Sequence, residues 1–190
     1  MHSRTAPAIA LLFAALLQVG CGNIQTVKSF STPYEQPTTG ERARIRVVAD
    51  GMVRAVPNSA CEDWRLPGSG VMVAARKGFA DQNNLSLGMP GADTAPMGGS
   101  VVSEFYVPAG KPLMLSYLSN GRPTPTGSAQ CFVRKSFVPV PGEDYEARFR
   151  HVGSQCYGSV TTLQSHAGQT TRSAPLPLAE APFCRVSDNL

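Results

Sequence analysis

Apolar and charged residues alternate strictly from residue 42 to residue 47, and this pattern predicts the first strand of the domain. The apolar side chains are those of Ala43, Ile45 and Val47. The intervening positions hold Arg42, Arg44 and Arg46. Because strand side chains point alternately to opposite faces, the three arginines share one face. Asp50-Gly51 and a second apolar run over residues 52–56 follow, a pattern typical of a tight β-hairpin.

Six more strands are predicted further along the chain. Residues 71–75 and 156–163 are β-like runs, and two segments, Glu104 to Gly110 and Lys135 to Gly142, each combine a strand with a proline-containing turn. The strands that follow these turns are residues 113–118 and residues 145–149. Proline cannot donate to a strand ladder and glycine permits tight turns, so both segments are predicted to be hairpins or sheet corners.

The stretch from Lys77 to Gly99 is irregular and contains several Gly, Pro and Asn turn signals. It is predicted to be a large surface loop, with room for one short strand over residues 85–89.

About eight short strands separated by turn signals, with no helical period between them, predict an all-β fold. The 18 glycines and 16 prolines agree with a chain of many turns. We expect a β-sandwich with an immunoglobulin-like or transthyretin-like layout, and a small β-barrel is the alternative. At 190 residues the chain has room for one domain with a sizeable core.

The first residues have the pattern of an export signal. His2 and Arg4 precede an apolar run from Ala8 to Leu17, which is too short to span a bilayer as a stable helix. Gly20 then stands directly before Cys21. With its charged start, its apolar run and the sequence LLQVGC, this region resembles a bacterial lipoprotein precursor.

The resemblance implies that Cys21 receives a diacylglyceryl group and becomes the first residue of the mature protein. The residue after it is Gly22 rather than the Asp that retains such proteins in the inner membrane. The resemblance therefore implies an outer-membrane lipoprotein that faces the periplasm. We expect a signal peptide over residues 1–20, a lipidated cysteine and flexible tether over residues 21–40, and a single β-rich domain over residues 41–190 with a Pro-rich C-terminal tail.

Four cysteines remain when Cys21 is assigned to the lipid: Cys61, Cys131, Cys156 and Cys184. They lack the close CxxC spacing of zinc sites, and exported proteins form disulfides in an oxidising compartment, so we expect two disulfides. Four cysteines allow three pairings. Pairing Cys61 with Cys131 and Cys156 with Cys184 is favoured, because the second bridge would pin the Pro-rich tail to the last strand.

Candidate catalytic groups are sparse. After the signal segment the histidines are His151 and His166, and no GxSxG motif frames a nucleophile. Adjacent carboxylates lie beside turns, and the methionines are dispersed. We therefore expect no enzymatic activity, no cofactor and no metal. A net charge of +4 without a run of Lys or Arg also argues against nucleic-acid binding.

The arginine row is the surface feature with the most specific chemistry. Arg42, Arg44 and Arg46 would stand about 7 Å apart along one strand face, a spacing that suits several phosphates or carboxylates. The alternative is an ordinary polar outer face. The resulting hypothesis is a non-enzymatic envelope lipoprotein that binds another envelope protein or an anionic glycan. A hydrolase with its site in the 77–99 loop and a purely structural subunit of an envelope complex are the alternatives.

Overall fold

The computed structural model describes residues 29–91 and 98–185, so that the predicted signal peptide and Cys21 lie outside the described residues. Nearly all of the regular structure is β-strand. The strands are β1 (Arg42–Ala49), β2 (Met52–Pro57), β3 (Gly70–Ala74), β4 (Val101–Pro108), β5 (Leu113–Leu118), β6 (Arg122–Thr124), β7 (Gly127–Ala129), β8 (Phe132–Phe137), β9 (Asp144–Val152), β10 (Gln155–His166), β11 (Gln169–Arg172) and β12 (Ala179–Glu180).

Ten of these strands form two five-stranded sheets. The first sheet has the order β11-β10-β9-β1-β4, and the second has the order β12-β8-β5-β2-β3. All neighbours are antiparallel except β1 and β9, which run parallel. Strands β6 and β7 form a separate small hairpin. The predicted β-sandwich is confirmed. The alternative of a small barrel is wrong, because the two sheets of the described chain remain separate.

The core lies between the inner faces of the two sheets. Tyr117 of β5 stacks on Phe149 of β9 with a centroid distance of 5.6 Å, which joins the second sheet to the first. Phe137 and Tyr145 form a further aromatic pair across the sheets at 5.2 Å. The other fully buried core residues on the strands include Ile45, Val47, Val53, Ala55, Met72, Val73, Phe105, Val107, Leu113 and Leu115. The apolar face of the first predicted strand is therefore a core face, as its alternation indicated.

The Asp50-Gly51 turn differs from the predicted hairpin. Strands β1 and β2 belong to different sheets, so the turn is a corner that carries the chain from one sheet to the other. The Asp50 carboxylate accepts hydrogen bonds from the Tyr117 hydroxyl and the His151 backbone N–H. A Cβ at Gly51 would lie 2.3 Å from the carbonyl oxygen of Leu118, so a side chain cannot fit there. These contacts select a corner over a two-residue hairpin.

The two proline-containing segments are also corners. Pro108 ends β4 in the first sheet before the chain enters β5 in the second, and the segment after Phe137 returns the chain from β8 to β9. Of the two structures that the sequence left open, the sheet corner is the one formed.

Part of the predicted tether belongs to the folded domain. The backbone of Thr32 and Tyr34 exchanges hydrogen bonds with Val71 of β3, and the Tyr34 side chain is buried against Phe105. The prediction of a flexible tether over residues 21–40 is therefore wrong from Ser29 onward, because Tyr34 supplies an apolar anchor that the polar composition around it obscured.

The two irregular regions also differ from expectation in detail. The described part of the 77–99 stretch has no strand over residues 85–89, although it follows the edge of β4 through the hydrogen bonds Asn84 N–H to Val102 and Glu104 N–H to Leu85. The C-terminal tail contains two short strands, β11 and β12, that the composition did not indicate. Among the residues described, no helix is long and apolar enough to cross a membrane.

Two disulfides join the four cysteines, as predicted, but the favoured pairing is wrong. Cys61 pairs with Cys184, and Cys131 pairs with Cys156. The first bridge fixes the C-terminal tail to the segment after β2 instead of to β10. The second joins the start of β8 to the start of β10 and so ties the two sheets together. Disulfides of this kind are typical of compartments outside the cytosol.

Opening either bridge should destabilise the domain, and the bridge that closes the longer loop should matter more. The chain-entropy model predicts a loss of about 5 kcal/mol for Cys61–Cys184, which are 123 residues apart, and about 3.5 kcal/mol for Cys131–Cys156, which are 25 apart. Urea unfolding of the two Cys→Ser double variants measures both losses. A larger loss from the Cys131–Cys156 variant would contradict the predicted order.

Candidate functional site

The arginine row lies at the centre of the first sheet, where β1 runs between β4 and β9. Arg42 is exposed, and its guanidinium lies 4.5 Å from the centre of the Tyr106 ring. Arg44 forms a bidentate pair with Asp144 at 2.7 Å for both nitrogens. Arg46 is only 3% exposed. The predicted row of three solvent-facing guanidinium groups is therefore wrong.

Arg46 is matched by carboxylates on both neighbouring strands. Its guanidinium donates to Glu104 of β4 at 2.7 and 3.0 Å and to Glu146 of β9 at 3.4 Å. The same registers place all three residues on one row of the outer face. Glu146 also accepts hydrogen bonds from Arg148 and Arg172. The outer face of this sheet is thus a paired ionic network rather than a free anion-binding strip.

The segment from residue 82 to residue 91 covers this network. Backbone N–H groups of Leu87 and Met89 donate to Glu104, and the Met89 carbonyl accepts from Arg46 at 2.8 Å. At the far end, a Cβ on Gly91 would lie 2.9 Å from Thr170 of β11. The segment therefore crosses the outer face from β4 to β11 and excludes water from the charges beneath it.

The two glutamates remain ionised despite their burial. Burial by itself would raise the pKa of Glu104, but hydrogen bonds from Arg46 and from the backbone N–H groups of Met89 and Leu87 hold it below its ordinary value. Burial likewise opposes ionisation of Glu146, but Arg172 and Arg148 hold its pKa below the ordinary value. A carboxylate with a lowered pKa stabilises the fold at neutral pH, and this contribution is lost as the pH falls through the lowered value.

The outer face of the second sheet has a different chemistry. It carries a groove of about 240 Å³, which we call the aromatic–arginine groove. The groove is lined by Phe30, Arg54, Glu62, Ser116, Leu118, Phe132, Arg134 and Phe183. Arg54, Ser116 and Arg134 occupy one row across β2, β5 and β8. Phe132 of β8 supplies one aromatic ring, and the segments that contain Phe30 and Phe183 supply the other two.

Arg54 is held between two aromatic rings. Its guanidinium lies 4.3 Å from the centre of Phe30 and 4.1 Å from the ring of Trp64, and its Nη1 donates to Ser29 at 2.8 Å. Its Nε is buried and has no hydrogen-bond partner among the residues described. Burial lowers the pKa of Arg54 to about 10, and nearby Glu62 opposes this shift only in part. The protein thus keeps a cation in a poorly solvated position.

Arg134 occupies the rim of the groove between two exposed rings. Its guanidinium lies 4.2 Å from the centre of Phe183 and 5.0 Å from that of Phe132. These two phenylalanines are 67% and 63% exposed, more than any other large apolar residue described. Nη1 of Arg134 also donates to Glu62 at 3.1 Å. Glu62 accepts from Trp64 through its other oxygen, which fixes its orientation.

The Cys61–Cys184 bridge holds the two segments that flank the groove. Next to it, the Glu62 backbone N–H donates to Pro182 at 2.8 Å, and the Cys184 N–H donates to the Glu62 carbonyl at 3.3 Å. Phe183 and Glu62 therefore keep a fixed separation although they lie far apart in sequence. A residue whose backbone is already fixed loses less conformational entropy when a partner covers it.

Sequence reasoning missed this groove, although signals for it were present. Phe132 follows Cys131, and Phe183 precedes Cys184, so each exposed ring lies next to a disulfide cysteine. Phe132 and Arg134 are also two residues apart in one strand and therefore share a face. The residues that complete the groove come from distant segments, and no local pattern joins them.

Aromatic rings and guanidinium donors in one groove can bind an apolar group together with an anionic one. Among the described residues, no group of three or more His, Cys, Asp or Glu side chains could hold a metal ion. His151 is the residue before the last of β9, His166 is the last residue of β10, and both lie outside the groove. A wider groove of about 740 Å³ shares Phe132 and Arg134 and extends the open surface toward Tyr157.

Comparison with family models, with curated proteins and with solved structures found no match for this chain.

Replacing Glu146 with Gln should destabilise the domain by about 3 kcal/mol or more, because the change removes a buried charge that three arginines share. Chemical denaturation of the wild type and of Glu146→Gln measures the loss. Glu180→Gln is the matched control, since Glu180 pairs with Lys135 but its side chain is 80% exposed, and its loss should stay below about 1 kcal/mol. Equal losses from the two variants would show that the covered network contributes no more than a surface pair.

Proposed function

We propose that this protein is an outer-membrane lipoprotein of the bacterial envelope that binds a protein partner through the aromatic–arginine groove, without catalysing a reaction. Support for the location comes from the sequence around Cys21 and from the two disulfides, which form outside the cytosol. Support for binding comes from the outer face of the second sheet.

One observation carries the binding proposal: Phe132 and Phe183 are more than 60% exposed yet are held in place on either side of Arg134. Rigid aromatic residues and arginine are the residue types most enriched at the centres of protein–protein interfaces. Isolated exposed rings are common, but two rings that share one guanidinium form a prepared contact surface.

The groove also indicates the chemistry of the partner segment. Arg54 and Arg134 bring two positive charges, whereas Glu62 brings one negative charge that already binds Arg134 and Trp64. The surplus charge favours a carboxylate on the partner, and the surrounding rings favour an apolar side chain beside it. An acidic glycan offers the carboxylate but lacks the apolar side chain, so a protein segment fits both features better.

Acylation of Cys21 should be visible by metabolic labelling with a fatty acid. The wild type is expected to incorporate label, because an apolar run and a small residue precede the cysteine, whereas Cys21→Ser should incorporate none. Equal labelling of the two proteins, or a mature N-terminus at another residue, would reject the lipid anchor without affecting the binding proposal.

Cross-linking to a partner protein should depend on where a photoreactive residue is placed on the domain surface. A photoreactive phenylalanine analogue at position 183 or 132 should yield a discrete cross-linked protein, whereas the same analogue at Val138 or Val140, each 54% exposed, should not. Once that protein is identified and purified, Phe183→Ala should weaken its binding by about tenfold or more, as expected for an interface anchor.

Arg134→Lys provides a second variant, because it keeps the charge but loses the planar group that stacks on the rings. It should weaken binding while the midpoint of thermal unfolding changes little. Cross-linked products that are the same from positions 183 and 138, or wild-type affinity in Phe183→Ala, would reject the groove as the binding surface.

A further inference from the structure

The described chain begins at the Asp50-Gly51 end of the sandwich. Phe30 packs against Met52 and Ala74, which pair with each other directly after this corner. From there the chain runs along β3 toward the opposite end, where β1 begins. Ser29 and Phe30, the first described residues, therefore lie at the Asp50-Gly51 end.

Three other parts of the chain meet at this end. The Ala75 N–H donates to the carbonyl of Gly51, the Asn120 side chain donates to the carbonyl of Asp50, and the His151 N–H donates to the Asp50 carboxylate. Exposed cations lie within two residues of each contact. They are Arg76 and Lys77 after Ala75, Arg122 after Asn120, and Arg150 before His151.

These four cations give the end a positive surface. None of them forms an ion pair with a residue in the described ranges 29–91 and 98–185. The nearby carboxylate of Asp50 already accepts two hydrogen bonds. The nearby Asp81 accepts from the backbone of Asn83.

At the opposite end of the sandwich, positive and negative charges are balanced. Glu41 and Glu143 lie there, hydrogen-bonded through their backbone carbonyls to Ala109 and Arg44, and the exposed cations beside them are Arg42 and Lys111. Of the two ends of the sandwich, the Asp50-Gly51 end therefore carries the larger surplus of positive charge among the described residues.

Exposed apolar side chains accompany the positive charge. Phe79, Val152 and Tyr157 are 38%, 49% and 47% exposed. Tyr157 pairs with Arg150 across β9 and β10, and Val152 follows Arg150 by two residues, so both lie at the same end. Basic residues mixed with aromatic and aliphatic ones are typical of surfaces that lie at the headgroup region of a membrane.

We propose that the Asp50-Gly51 end docks on a membrane surface through anionic phospholipid headgroups. This inference rests on the proposed lipid anchor for its geometry. Eight residue steps separate Cys21 from Ser29, and an extended chain of that length spans at most about 29 Å. A lipid on Cys21 therefore holds this end close to the bilayer, where Arg76, Lys77, Arg122 and Arg150 meet negatively charged headgroups.

The test uses the chain from residue 21 onward with Cys21→Ser, which contains every described element but no lipid. Sedimentation should show binding to vesicles of equal parts phosphatidylcholine and phosphatidylglycerol and much weaker binding to phosphatidylcholine alone. Binding should also fall at high salt, because exposed charges are screened over about 8–10 Å at physiological ionic strength.

Removal of two cations at the docking end should weaken binding about thirtyfold, as expected for two charges next to an anionic surface. The variant is Arg76→Gln with Lys77→Gln. The matched control removes two exposed cations at the opposite end, Arg42→Gln with Lys111→Gln, and should leave vesicle binding unchanged. Both variants should unfold at the wild-type temperature.

Absence of binding to the anionic vesicles would overturn the proposal, as would equal binding to both vesicle types or equal loss in the two double variants. Retention on polyglutamate without binding to vesicles would overturn it in favour of an acidic protein partner. Because the tested chain has no lipid, these outcomes do not depend on labelling of Cys21 or on cross-links from position 183.

Discussion

Arg46 carries a buried positive charge on the outer face of the first sheet, and the arrangement of that face depends on neutralising it. A guanidinium that is removed from water must find carboxylates and carbonyl groups with good geometry, because an uncompensated buried charge costs several kcal/mol. Glu104 and Glu146 supply the negative charge, and the Met89 carbonyl supplies the remaining acceptor. The covering segment is positioned by the same contacts.

The two outer faces show two ways to keep arginine in a β-sandwich. On the first sheet, Arg46 is paired with two carboxylates and then covered by chain. On the second sheet, Arg54 and Arg134 are stacked on aromatic rings, and the one carboxylate between them, Glu62, does not balance both charges. Stacking on aromatic rings covers the flat sides of a guanidinium but leaves the N–H donors at its edge free to bind an anionic group. The outer face of the second sheet can therefore still bind a ligand. The difference explains why we place the binding surface on the second sheet.

Local patterns predicted the strands well because a strand's alternation is a property of neighbouring residues. The face of β1 that carries Ile45 and Val47 is buried as expected. Whether the opposite face of β1 is buried or exposed depends on residues far away in the sequence. Arg46 meets Glu104 and Glu146, which are 58 and 100 residues away in sequence, and nothing in the pattern around residue 46 indicates them. A row of charges on a central strand is therefore compatible with an open strip or with a covered network.

Local patterns also could not decide the turns, the disulfide pairing or the position of the segment that begins at Ser29, because each depends on contacts with distant residues. Asp-Gly suits a hairpin or a corner, and here the contacts of Asp50 with Tyr117 and His151 decide for the corner. Four cysteines allow three pairings, and only the folded chain brings Cys61 to Cys184. Polar composition suggested a tether through residue 40, but the buried Tyr34 side chain and backbone hydrogen bonds to Val71 join this segment to the folded domain.

The aromatic–arginine groove lies near the Asp50-Gly51 end, and this position links the proposed partner binding to the proposed membrane docking. Phe132 lies in one row with Leu118 and Met52, and Met52 directly follows the Asp50-Gly51 corner. The aromatic–arginine groove therefore opens on the side of the domain but close to the end that we assign to the membrane. A partner segment that reaches Phe132 and Phe183 would lie near the headgroups. An envelope protein that is itself held at the membrane meets this requirement without extending across the periplasm, because both proteins are then confined to the same surface and their effective concentration rises.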